Sequence, residues 1–246
     1  MERRALVLGV VLTAGTVYGV SFEVSVGGMG QNPSGYIQYP ANTGTRVDLE
    51  NTLGLDRETR FFARAKLEIP VVPNLYLQYI PMRFGGRGRL QQTVVFGGQT
   101  FTVNTNIDTS VRIDHLDVGL YYNIPIPGGV VDPELGLNVR VIDFKGRITD
   151  LDNNVTEEKS ATFPVPMLYG GIGVNLGMFS LVGEIRGITY GGNSYYDLTG
   201  EVRVKPFSKV FLGAGYRYER LKLDNVSDVD ADIEVSGPFG VVGISF

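Results

Sequence analysis

The 246-residue chain has no cysteine, no tryptophan and a single histidine. Without cysteine it can build no disulfide framework, thiolate zinc site, iron–sulfur cluster or cysteine nucleophile. Basic runs are also missing, none exceeding two residues, and 26 Asp and Glu outnumber 22 Lys and Arg. That removes the electrostatic footprint of a nucleic-acid binder. Long apolar runs are scarce: Ala5 to Leu12 is the longest near the start, well short of the ~20 residues a helix needs to cross a bilayer. What the chain does hold is glycine, 33 residues, and 13 each of Phe and Tyr. Glycine at about twice the ordinary usage of roughly 7% disfavours helical bundles. The length suits one domain, and all-β barrels often reach this size as one.

Arg3 and Arg4 precede the short apolar run, and Val17 and Gly19 occupy the −3 and −1 positions of a cleavage site. We expect residues 1–19 to be a cleaved signal peptide and residues 20–246 to form one β-barrel domain. From residue 20 apolar side chains recur at every second position, the period of strands. Phe22, Val24 and Val26 oppose Glu23 and Ser25; Phe61, Ala63, Ala65, Leu67 and Ile69 oppose Arg60, Phe62, Arg64, Lys66 and Glu68. Leu116, Val118, Leu120, Tyr122 and Ile124 oppose His115, Asp117, Gly119, Tyr121 and Asn123, and Leu198, Val202 and Val204 oppose Thr199, Glu201, Arg203 and Lys205. Short Pro-, Gly-, Asn- or Ser-rich connections at Val71–Asn74, Ile124–Gly129, Gly177–Met178 and Pro206–Lys209 alternate with polar, mostly longer ones. The latter are Gln31–Asp56, the Gly97-Gly98 tip, Asp150–Thr156, Gly191–Ser194 and Asp224–Asp230. Four turns on one rim and five loops on the other delimit ten strands, near 20–30, 57–70, 75–96, 99–124, 130–149, 157–176, 180–190, 195–206, 210–223 and 231–246. Strands longer than the ~9–11 residues of a membrane crossing favour a barrel over a soluble sandwich.

The last segment, Gly240-Val241-Val242-Gly243-Ile244-Ser245-Phe246, ends on an aromatic with Val242, Ile244 and Phe246 on one face. With the leader and the alternation, it resembles the Gram-negative outer-membrane β-barrel proteins, a broad class. The resemblance implies an all-β fold, a transmembrane antiparallel up-and-down β-barrel of ten strands in the outer membrane. It also implies that Val242, Ile244 and Phe246 form the signal read by the barrel-assembly machinery. Lipid-facing Tyr79, Tyr122, Tyr196, Tyr216 and Tyr218 suit the aromatic girdles of such barrels.

If the apolar face meets lipid, the lumen receives Arg60, Arg64, Lys66, Arg140, Arg186, Arg203, Lys205 and Arg217, with Glu23, Glu68, Asp117, Glu134, Glu184, Asp197, Glu201 and Glu219. A ten-stranded barrel is narrow enough for these to pair across it. We therefore expect a largely salt-bridged lumen and a structural or surface-interaction role. A narrow, porin-like pore for small polar solutes is the alternative, and an outer-membrane hydrolase is a further one. His115 with Asp117 on the same strand face would suit an omptin-like protease, and with nearby Ser110 a lipid A deacylase, but no extended motif of either family is present and no catalytic residue is assigned. Asp228, Asp230 and Asp232 alternate in the last loop without the glycine and closing glutamate of an EF-hand, so no metal site is expected. Arg83, Arg87, Arg89, Arg112, Lys145 and Arg147 fall on the long arms just above the membrane level, where they either pair between arms or meet lipopolysaccharide phosphates. No cofactor is expected, and the chain reads as a monomer.

Overall fold

The computed structural model describes residues 19–96, 98–153 and 155–246. Nearly all of the expected signal peptide, residues 1–18, lies outside the described residues, as does Gly97 of the expected tip. The described residues contain strands and no helix: β1 (Ser21–Gln38), β2 (Arg46–Asp48), β3 (Glu58–Glu68), β4 (Asn74–Ile80), β5 (Arg83–Arg89), β6 (Val94–Phe96), β7 (Gln99–Phe101), β8 (Asn106–Asn123), β9 (Val131–Asp150), β10 (Val155–Leu176), β11 (Phe179–Tyr190), β12 (Asn193–Phe207), β13 (Val210–Val226) and β14 (Val229–Ser245). Each long strand pairs antiparallel with its sequence neighbour, and β1 pairs with β14 from Glu23↔Ser245 to Gln38↔Asp230. β4 and β5 form one stave against β8, interrupted at Pro81, which has no N–H for the ladder. The result is a closed, antiparallel, up-and-down barrel of ten strands. Closure leaves the wall no free edge where all staves are present.

The four short connections and both strand ends share one rim, with Phe22 and Phe246 exchanging backbone hydrogen bonds of 2.9 and 3.1 Å. On the opposite, arm rim the β11–β12 hairpin turns on Gly191 and Gly192, whose φ of 56° and 86° only glycine adopts freely as a pair. The β9–β10 tip is fastened through Asp150, which accepts from the Asn153 side-chain amide (2.9 Å) and from the backbone N–H groups of Asn153 (2.8 Å) and Asp152 (2.9 Å). These bonds hold the Asp150 carboxyl below its usual range.

Two expectations about the arm rim are corrected. The loop read as 31–56 begins later, because Gln31–Gln38 continues β1 against β14. The strands read as 75–96 and 99–124 stop at Arg89 and restart at Asn106, and between them β6 and β7 pair separately, from Val94↔Phe101 to Phe96↔Gln99. These connections also do not stand out as polar arms. β2 pairs with β1 above the end of β3, and Leu55 bridges to Gly86 of β5, so the first loop completes the wall. Thr45 N–H donates to Val95 O at 2.9 Å, tying that loop to the hairpin.

The reason is apolar content that polar neighbours conceal. Val47, Leu49, Leu53, Leu55, Leu90, Val94 and Phe101 are buried against inward Ile80, Met82, Phe84, Ile107 and Ile148, and the same cluster runs down to Met29, Phe62, Phe211 and Phe239. Each such side chain contributes roughly 1.5–3 kcal/mol on leaving water. The arm half of the barrel is thus filled by an apolar core. Around the outside the polarity is reversed: Val26, Phe61, Leu77, Val118, Leu120, Leu137, Leu168, Ile185, Leu198, Val202, Leu212 and Val242 are all exposed. A belt of this extent exceeds what a water-soluble monomer leaves uncovered.

Candidate functional site: the charged lumen and the outer basic face

Strand alternation sends every second residue inward, so each stave presents its polar set to the lumen below the apolar core. Register then decides who meets. Asp117 of β8 lies opposite Arg140 of β9, and Arg186 of β11 opposite Asp197 of β12, which is itself opposite Glu219 of β13.

Three clusters result, the first two joined where Arg186 Nη1 lies 3.9 Å from Asp197. In the first, Arg140 Nε and Nη2 donate to the two oxygens of Asp117, both at 2.9 Å, and Nη2 also reaches Asp197. Arg217 grips Asp197 through Nε (2.9 Å) and Nη2 (2.8 Å) and reaches Glu219 at 2.6 Å. In the second, Lys66 Nζ lies 2.9 Å from Glu134 and 3.0 Å from Glu184, which also receives Arg186 at 3.0 Å. In the third, Arg64 meets Glu201 at 2.8 Å, while Arg203 bridges Glu201 (2.6 Å) and Glu23 (2.9 Å). Asp117, Arg140, Arg186 and Asp197 have no solvent exposure at all. Some pairs lie along one strand or between neighbouring strands, and others cross the barrel: Arg64 of β3 meets Glu201 of β12, 137 residues away in the chain, and Lys66 of β3 meets Glu184 of β11.

Three residues of the expected lumen set stand apart. Glu68 faces inward but holds only Ser21 (3.0 Å) and Tyr121 (3.5 Å) through hydroxyls. Arg60 pairs with Glu58 at 3.3 Å and is partly exposed, and Lys205 is exposed near the short-turn rim, outside the network. Tyrosines complete the layer. Tyr76, Tyr121 and Tyr169 cluster inside, Tyr169 donates to Glu134, and the Arg186 guanidinium lies 4.4 Å over the Tyr76 ring. Tyr195 joins Arg140 (3.1 Å) and Glu219. The inward parity of Tyr121 with Asp117, and of Tyr195 with Asp197, is the sequence signal for this role.

His115 is buried, its Nδ1 3.5 Å from Glu219 and its Nε2 3.4 Å from Tyr195 Oη. Asp117 does not orient it: both Asp117 oxygens accept from Arg140, and one also from Asn138 at 2.6 Å. Ser110 is an odd number of residues away along β8 and so faces outward while His115 faces inward. The three are not assembled into a catalytic group. Asp228, Asp230 and Asp232 also part company, accepting from the Ala41 backbone, the Asn225 backbone and Arg220 respectively. Among the described residues no cluster of three or more His, Asp and Glu is placed to hold a metal.

On the outside, the basic residues of the arms do come together. Strand register sets Arg83, Arg112, Lys145 and Ser160 side by side on β5, β8, β9 and β10. The next row out is Gly85, Ser110, Arg147 and Glu158, and the next begins with Arg87 and Asp108. Arg83 and Arg112 share Asp114 (3.1 and 2.9 Å), Arg112 also meets Asp143, Lys145 and Arg147 share Glu158 (2.8 and 2.6 Å), and Arg87 meets Asp108 at 3.0 Å. Arg89 donates to the Asn104 carbonyl at 3.1 Å.

No family model matches the chain, and no curated protein matches it. Solved structures do. Ail, the attachment invasion locus protein of Yersinia pestis, is similar over 92% of this chain and 99% of its own, with 13% identity and a TM-score of 0.41. The translocator domain of the autotransporter NalP from Neisseria meningitidis covers 94% and 90%, with 10% identity and a TM-score of 0.45. Neisserial surface protein A covers 93% and 100%, with 13% identity and a TM-score of 0.35. These neighbours are Gram-negative outer-membrane β-barrels. At such identities and scores nothing passes from them to this chain, and the barrel rests on the chain's own strand pairing.

Proposed function

We propose that this protein is an exported outer-membrane β-barrel with a closed lumen, acting as a structural or surface-interaction element and not as a channel or an enzyme. The observation that carries the reading is the pairing of buried charges across the lumen, under an apolar core that fills the arm half. Between Arg64, Gln78, Thr199 and Arg217 the free space is about 10 Å³, room for a single water. A conducting path would have to break several buried ion pairs, and each charge left unpaired costs several kcal/mol unless water enters. Cleavage of residues 1–19, monomeric insertion and assembly through the terminal strand belong to the same reading.

The refolded protein is expected to give no steady openings in planar bilayers and no swelling of liposomes in arabinose. Steady conductance of the unmodified chain would replace this reading with the pore. Assembly gives a separate check. Val242, Ile244 and Phe246 face outward on the terminal strand, and the Phe246 ring lies 4.6 Å from Lys209 Nζ. Phe246→Asp puts a charge at that lipid-facing end, so insertion and the heat-modifiable gel band are expected to fall several-fold; unchanged insertion would count against the assembly role of this strand.

A further inference from the structure

We propose that the outward face of β5, β8, β9 and β10 is a binding site for the phosphate groups of an outer-leaflet glycolipid headgroup. Arg83, Arg112 and Lys145 would form its first row and Arg147 and Arg87 its second. The proposal rests on the outer-membrane reading above and deepens it.

Position is the first argument. Moving along these staves toward the arm rim, the last apolar row is Tyr79, Leu116, Val141 and Pro164, followed by Asp114, Asp143 and Thr162, and then by Arg83, Arg112, Lys145 and Ser160. Neighbouring positions on one face of a strand are ~7 Å apart. The basic row therefore begins within about 15 Å of the hydrocarbon edge, the depth of a headgroup, and it points away from the barrel axis, into the leaflet.

Charge is the second. The six cations Arg83, Arg87, Arg89, Arg112, Lys145 and Arg147 share the face with four carboxylates, Asp108, Asp114, Asp143 and Glu158. Two of those carboxylates are each divided between two cations. The face carries a positive surplus on a chain whose net charge is −4. An Arg fork offers five N–H donors and Lys three, so the cations keep donors free after pairing. Their side chains stay accessible: 81% for Arg87, 51% for Arg83 and Arg147, and just above 40% for Arg112 and Lys145.

Chemistry is the third. Laterally adjacent guanidinium and ammonium groups on strands ~4.8 Å apart can bracket one tetrahedral phosphate, with Arg giving the bidentate contact and Lys the point charge. Each carboxylate in the face keeps the basic side chains extended and prevents their mutual repulsion from splaying them.

The test uses the full mature chain refolded in a zwitterionic detergent, with diphosphorylated lipid A as probe and the same lipid stripped of phosphate as control. Binding is read by mobility on native gels and by titration at two salt concentrations. The expected result is tight, salt-sensitive binding of the phosphorylated lipid alone. Arg112→Gln and Lys145→Gln should each weaken it about ten-fold, the equivalent of one charge-assisted hydrogen bond, Arg112→Lys should restore part of it, and Lys205→Gln on the other rim should change nothing. Equal binding of the stripped lipid, or Gln variants that bind as the parent does, would overturn the proposal. So would displacement by millimolar inorganic phosphate, which would make this a free-phosphate site. The heat-modifiable band is scored on every sample: its loss in the parent would indict the membrane-barrel reading, whereas a folded barrel that ignores lipid A would indict only this site.

Discussion

Arg140→Ala is expected to lower the stability of the folded barrel by about 3–5 kcal/mol, the cost of removing one partner from a buried ionic group. Arg140 is fully buried and binds Asp117 through two donors, reaches Asp197, and donates to the Tyr195 hydroxyl. Without it both Asp117 oxygens lose their guanidinium, and Asn138 alone remains to Asp117. Arg217 is held by Asp197 and Glu219, and Arg186 is tied through Nη2 to Glu184, so neither can supply the two-donor contact without giving up a pair of its own. Urea unfolding in lipid vesicles measures the effect as a shift of the midpoint at unchanged slope. The double variant Arg140→Met with Asp117→Leu should recover much of the loss, since it removes the stranded charge and keeps the volume. A single variant as stable as the parent would mean that water already solvates this carboxylate and that the lumen is wet.

The barrel is readable from sequence because its determinant is local. A period of two, punctuated by turn residues of alternating length, specifies strand number and face, and a slip of one residue would throw Arg64 or Asp197 into the lipid. Ten staves and the inward direction of the lumen charges follow from that parity. The partners do not: Arg64 meets Glu201 and Lys66 meets Glu184 across the barrel, and such pairs depend on closure and stagger, which no local pattern encodes. The filled arm half is hidden for a different reason. Val47, Leu49, Leu53 and Leu55 sit among Asp, Glu, Asn and Gly and keep no sustained strand period, so they read as loop. Their burial becomes intelligible only once Ile80, Met82 and Phe84 of the neighbouring stave are seen to face the same space. His115 shows the limit from the other side. A carboxylate two residues away on one face is a correct placement, yet Arg140 outcompetes the imidazole for it.

Two stacked layers close the lumen, and they should therefore open only together. Deleting residues 41–53 removes Val47, Leu49 and Leu53 from the apolar core and exposes the arm half, but leaves the ion pairs of Arg64, Glu201, Arg203 and Glu23 in place. Conversely, Arg64→Ala with Arg203→Ala removes both cations that hold Glu201, while the core above still excludes water and ions. Each change alone is expected to lower the unfolding midpoint and leave planar bilayers silent or briefly noisy. Combined, they allow water to enter from both rims and solvate the abandoned carboxylates, which relieves the penalty that made the single changes costly. The combined variant should then give steady, cation-preferring openings, because Glu23 and Glu201 would line the cleared path. Steady conductance from the 41–53 deletion alone would show that the charged layer does not seal the barrel, and silence of the combined variant in its folded, heat-modifiable form would place the seal in the tyrosine cluster of Tyr76, Tyr121 and Tyr169 instead.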